Sequence, residues 1–288
     1  MTEERPAFTR PLGPMAAAGW SALFLLVFVL LGSILASVRP GSEHDGVTAA
    51  LLYTAAALLT LLFIARTHAP EAELRDVLGA RPIGIVSAFL AAVMGACASF
   101  PLGAVEDLIT RRFITAEQAA EYVQTLASVG RNERVAGAAA LLLVAPVADE
   151  LLFRGALATG IARDRGKVFA AIITAATFGL VSSANDLHYL PLYFAMGLIL
   201  AHARLSTGSV LAAVSAHLGY RAAELASALR AHGTIDPLVT GLTGSRVQPR
   251  ILVAASLGVM FCAWLLARVS EGEPLATPVE TADAEKTE

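Results

Sequence analysis

"AGAAALLLVAPVADELLFRG", residues 136–155, is the stretch on which the reading of this chain turns. Its first half is apolar enough to be membrane, and its second half places Asp149, Glu150 and Arg154 directly behind that run. Three ionisable groups in such a setting must end a span, brace one helix against another, or do chemistry. In a helix Glu150 and Arg154 stand four positions apart on one face, acid first, which is the favourable order for an ion pair. Inside a membrane the pair neutralises itself and braces the helix. Asp149 is turned by about 100° from Glu150 and cannot share the arginine in the same way. It needs another partner or a cavity.

The rest of the chain supplies the membrane. Of 288 residues, 56% are hydrophobic and 16% charged, against about 25% charged in soluble domains, and the mean hydropathy is +0.65. Apolar runs recur at Met15–Ser37, Val47–Ala65, Ile83–Gly103, Ala136–Phe153, Val168–Ser183, Leu187–Ala203, Ser209–Leu229 and Arg250–Ala267. In lipid only helices and closed barrels satisfy the backbone, and no period-2 alternation marks a barrel. The expected fold is therefore all-α, a polytopic membrane bundle of about eight transmembrane helices. Small residues ("SAFLAAVMGACAS", "VFAAIITAATFG") suit close helix packing. The fifth and sixth runs are short and almost continuous, so they form a tight hairpin.

A formal charge of −3 gives no basic surface for nucleic acid, and the expected partners are membrane lipids. Residues 1–14 read as an N-terminal tail, 15–268 as the transmembrane domain and 269–288, polar and Pro-containing, as a disordered tail. The first run is too long for a signal-peptide core and reads as a retained span. Between the third and fourth runs, Leu108, Phe113, Ala120, Val123 and Leu126 suit an amphipathic helix or a surface loop with some helix. Cys97 and Cys262 lie in apolar runs and read as packing residues. Arg163, Arg165 and Lys167 share one short loop, and the opposing hairpin at Asn185 and Asp186 has no Lys or Arg. The positive-inside rule then places both termini in the cytoplasm, although Arg111, Arg112, Arg131 and Arg134 in the long segment oppose it.

Three more polar clusters follow: "TFGLVSSAND" with Phe178, Ser182 and Ser183; His188 and His202 at the two ends of the sixth run; and "SVLAAVSAHLGYRAAE" with His217, Arg221 and Glu224. His188 and His202 read as interfacial histidines without special duty. His217 lies deeper, where an imidazole is a candidate functional group or a packing histidine bonded to a neighbouring helix.

In this order the clusters resemble the CAAX-protease and bacteriocin-processing (CPBP) family of intramembrane proteases, which includes the type II CAAX prenyl endopeptidases. That family carries Glu-Glu-x-x-x-Arg, then Phe-x-x-x-His, then His-x-x-x-Asn or a similar residue. Here "DELLFR" places Asp149 at the first glutamate, with Glu150 and Arg154 matching. "FGLVS" matches at Phe178 but has Ser182 for the histidine, and "HLGYR" matches at His217 but has Arg221 for the asparagine. The likeness covers roughly residues 136–224. It implies a membrane endopeptidase in which a carboxylate and histidines activate a water, with a membrane-anchored or prenylated protein or peptide as substrate. It leaves open a divalent metal such as zinc or no cofactor. It makes Asp149, Ser182, His217 and Arg221 the catalytic positions and Glu150, Arg154 and Phe178 the structural brace.

The departures all fall on catalytic positions. Asp149 is shorter than glutamate by one C–C bond, about 1.5 Å, and a misplacement near 1 Å can cost ~10²-fold in rate. Ser182 cannot accept a proton as imidazole does near neutral pH. Arg221 adds a permanent cation that can pair with Asp149 or Glu224. Two readings follow: a CPBP endopeptidase with a divergent site, or an inactive relative kept as a membrane scaffold, chaperone or immunity-like protein. A third, a carrier binding an anion through Arg154 and Arg221, has no repeat or broken helix pair behind it.

Overall fold

The computed structural model describes residues 8–10, 12–40, 46–115, 142–232 and 248–272. Every described element is helical. In chain order they are α1 (Pro14–Val38), α2 (Gly46–His68), the short α3 (Leu74–Leu78), α4 (Ile85–Phe113), α5 (described from residue 142 to Arg165), α6 (Lys167–Ser182), α7 (Leu190–Thr207), α8 (Val210–His232) and α9 (Pro249–Gly272). Each predicted span has a helix, and the chain is an all-α membrane protein. Four of these helices are by themselves long and apolar enough to cross a bilayer: α1, α2, α4 and α9. α5 to α8 are shorter or more polar, because they carry the ionisable core.

Two boundaries differ from the sequence reading. α4 does not stop at Gly103 but runs through Pro101 to Phe113, so Leu108 and Phe113 belong to it and not to a separate interfacial helix. Its polar last turns are held by the Asp107–Arg111 pair at 2.8 Å, an i,i+4 contact that hydropathy does not register. Ala120, Val123 and Leu126 lie outside the described residues, as does the tail beyond 272. α5 likewise does not end at Phe153. It passes through a π-helical segment, Glu150–Leu157, before resuming as Ala158–Arg165. The motif therefore occupies mid-helix and does not mark the end of a span.

Helix contacts sort the ends of the bundle into two faces. On one, Thr9 and Arg10 donate their backbone N–H groups to the His68 carbonyl at the end of α2, and Phe8 lies against Gly160 of α5. There too Val210 at the start of α8 donates to Gly79, which closes α3 at φ 58°, and Arg204 of α7 reaches Thr159. On the other face are the end of α4, the α6–α7 hairpin and the end of α8. The N-terminal stretch is thus built into the fold: Phe8 and Leu12 are fully buried.

α4 and α8 touch backbone to backbone. A Cβ on Gly95 would sit 1.8 Å from the Ala216 carbonyl oxygen, and one on Gly219 would sit 2.0 Å from that of Ala92. These two glycines bracket His217 from both helices and let α8 approach closely, the small-residue packing that membrane helices use in place of a hydrophobic drive. Gly219→Ala should therefore push the helices apart by more than an ångström at the level of His217. Its destabilisation should reach or exceed the top of the ~1–3 kcal/mol range for overpacking, read as a fall in thermal stability in detergent. A variant as stable as the parent would show that the crossing is looser than this.

Candidate functional site

The site is built on the π segment. A π turn widens the helix and is frequent at functional positions; here it carries both Glu150 and Arg154. Arg204 of α7 reaches across and donates from Nε to the Arg154 carbonyl at 3.2 Å, bonding to the backbone of the widened stretch.

Glu150 and Arg154 form the expected pair, Oε1 to Nη1 at 3.3 Å, with both side chains at 0% exposure. Arg154 also donates Nη2 to the Gly197 carbonyl at 3.0 Å and lays its guanidinium over the Phe178 ring at 4.4 Å. Gly197 is required there. A Cβ would lie 2.9 Å from Ala175 Cα and 3.1 Å from that same Nη2. Phe178 is the hub of this layer, standing edge-on to Phe153 (5.5 Å), Tyr193 (6.4 Å) and His217 (6.3 Å). The brace accordingly joins α5, α6, α7 and α8.

His217 enters the same layer. Its Nδ1 lies 2.9 Å from Glu150 Oε1, so the imidazole donates to the carboxylate and presents the lone pair of Nε2. The glutamate therefore serves arginine and histidine through one oxygen. Its other oxygen, Oε2, is buried without a partner among the described residues, as are His217 Nε2 and Arg154 Nε.

Asp149 faces elsewhere, as its rotation requires. It accepts a hydrogen bond from the Tyr53 hydroxyl of α2, and Tyr53 is wedged edge-on between Phe24 (4.9 Å) and Phe28 (5.6 Å) of α1. The sequence reading missed Tyr53. Its signal was a lone hydroxyl-bearing ring in "LLYTAAALL", which in lipid must find an acceptor. Arg221 pairs with Glu224 at 2.8 Å while remaining within electrostatic range of Asp149 and His217. Ser182 ends α6, half-buried, one turn beyond Phe178 and so one turn removed from the Phe178–His217 contact. His202 bonds through Nε2 to the Ala263 carbonyl of α9 at 3.1 Å, and His188 sits exposed in the hairpin. These two are placed as interfacial or packing histidines would be.

A bound divalent ion does not fit this donor set. Among the described residues no three His, Cys, Asp or Glu side chains are grouped as ligands, whereas catalytic zinc takes three protein ligands. His217 and Glu150 already share their layer with the Arg154 cation. An apolar cleft of about 360 Å³ between α2 and α5 is lined by Thr54, Leu58, Leu143 and Leu151, among others, but by neither carboxylate.

No curated protein and no solved structure gives a significant match to the chain. Residues 131–223 do match a family model, that of the type II CAAX prenyl endopeptidase Rce1-like proteins. This stretch contains every motif described above from Asp149 to Arg221, and it is the part of the chain that is similar to that family.

Proposed function

We propose that this protein is a non-hydrolytic membrane relative of the type II CAAX prenyl endopeptidases, in which the family core serves as a scaffold. The observation that supports this best is how both motif acids are engaged. Asp149 is tied to Tyr53, and Glu150 holds Arg154 and His217 through one oxygen at 0% exposure. Each acid thus has one oxygen committed to neighbouring side chains, and the second imidazole of the family pattern is replaced by Ser182. What the departures leave intact is the brace.

One observation favours hydrolysis instead. Glu150 Oε2 and His217 Nε2 are both bare in the interior, and a water between them would face two proton acceptors. The test separates the two readings. Full-length protein in liposomes is offered a prenylated peptide and an unmodified membrane-helix peptide, and cleavage is followed by mass spectrometry. No product above that of a His217→Ala control is expected. Turnover that disappears in Asp149→Ala or His217→Ala would overturn the scaffold reading.

We infer further that both termini face the cytoplasm. The face that holds the N-terminal strap also bears Arg163, Arg165 and Lys167 in its α5–α6 turn, and such short basic loops stay inside. Prenylated or otherwise lipid-anchored polypeptides remain the expected partner class.

A further inference from the structure

The unpartnered atoms of the core, together with the polar side chains above them, point to a route for water. Nearly all buried polar groups in folded proteins are hydrogen-bonded, and those without protein partners are served by internal water. Here Glu150 Oε2, Arg154 Nε, His217 Nε2 and Arg221 Nε all lack one among the described residues. From His217 a series of polar side chains continues toward the hairpin face. Arg221 is one turn on, paired with Glu224, and both stand within electrostatic range of Glu106 of α4. Tyr193 lies in the field of Arg221, Glu106 and Glu224. Its ring is 6.5 Å from that of Tyr189, whose hydroxyl meets Thr110 Oγ1 at 2.8 Å. Beyond it His188 stacks on Phe113 at 4.0 Å and bonds Asp186 at 2.7 Å.

Exposure is greater toward the hairpin face. The side chains of His217, Arg221 and His188 are 0%, 33% and 51% exposed. In the other direction the layer is closed by Phe153, Leu157 and Ile161, and then by the strap residues Phe8 and Leu12, all at 1% or less. Phe8 is seated on Gly160, where a Cβ would lie 2.9 Å from its ring. Among the described residues, the path from the layer toward the strap is thus closed by apolar side chains, and polar contacts on that side, such as Arg204 with Thr159, lie beside it.

We infer that water enters the Glu150–His217 layer through a one-sided file between α4, α7 and α8, lined by Arg221, Glu224, Glu106, Tyr193, Tyr189 and Thr110. Arg221 and Glu224 are its hydrated gateposts, which accounts for a permanent cation and two carboxylates in a membrane domain. The file holds whether or not the protein hydrolyses peptides, since it concerns access and not turnover.

Two measurements test it. Hydroxyl-radical footprinting of the unmodified protein in nanodiscs reads water beside side chains without any substitution. Modification is expected at Tyr189, Tyr193 and His217 and not at Phe8 or Phe153; protection of Tyr193 and His217 equal to that of Phe153 would overturn the file. For sidedness, single cysteines replace Thr110, Glu224 and the lipid-facing Leu180 in a Cys97→Ala, Cys262→Ala background. A membrane-impermeant thiol reagent should label positions 110 and 224 at least ~10-fold faster than 180, because only a hydrated thiol ionises to the reactive thiolate. Labelling should come from the face opposite the N-terminus. Thr110→Cys is nearly isosteric and stands if Glu224→Cys fails to fold. Equal rates at 110 and 180, or labelling from the N-terminal face, would refute the route.

Discussion

Glu150→Ala is expected to leave little folded protein. The substitution strips Arg154 of its carboxylate and His217 Nδ1 of its acceptor together, in a layer where all three side chains are 0% exposed. Removing one member of a buried pair typically costs ~3–5 kcal/mol, since the remaining charge is left uncompensated. Arg154 would keep the Gly197 carbonyl and the face of Phe178, which soften the loss but cannot neutralise a cation. The comparison that makes this diagnostic is Arg221→Ala. Its pair with Glu224 is about one-third exposed, so its loss strands less charge in the interior than the loss of Glu150 does. Thermal unfolding in detergent should therefore separate the two variants widely. Equal melting behaviour for Glu150→Ala and the parent would mean that the brace does not hold the fold.

How much of this could be read from the chain follows from the range of each interaction. The Glu150–Arg154 pair was legible because i,i+4 spacing is a local rule, and so was the need of Asp149 for a partner in a different direction. The identity of that partner was not. Tyr53 precedes Asp149 by 96 residues, and only the packing of α1 and α2 onto α5 brings the ring to the acid. His217 was legible as a functional or packing imidazole, but its partner was not, because Nδ1 is bonded to Glu150 across 67 residues. The eight apolar runs gave the helices and missed features that hydropathy does not encode. The π turn, the run of α4 past Gly103, α3 with its left-handed Gly79, and the burial of Phe8 and Leu12 all depend on tertiary fit. Gly95, Gly197 and Gly219 looked like generic small residues. Only the interatomic approach shows that each fixes a specific helix contact.

The last expected result is a gain of function. Asp149→Glu, Ser182→His and Arg221→Asn in one chain should create peptide-bond hydrolysis in a protein that otherwise shows none. The structure gives each change a physical task. A glutamate side chain at position 149 extends the acid by one C–C bond, about 1.5 Å, beyond the point where Tyr53 now holds it. An imidazole at position 182 projects from the turn above Phe178, whose ring already touches the face of α8 that carries His217. An amide at position 221 removes the cation from that turn and releases Glu224. None of the three touches Glu150, Arg154 or Gly197, so the brace should survive. Because groups that act as a unit are strongly non-additive, single restorations should stay inactive and the triple should exceed them by at least ~10²-fold, the cost of a misplacement near 1 Å. A control chain with Asp149→Gln in place of Asp149→Glu, beside the same Ser182→His and Arg221→Asn, must be silent, which assigns the activity to the restored acid. A triple variant that folds, keeps its brace and still cleaves nothing would move the obstacle from the substituted groups to the closure of the layer itself. In a hydrated but sealed core, water reaches the acid and a polypeptide does not.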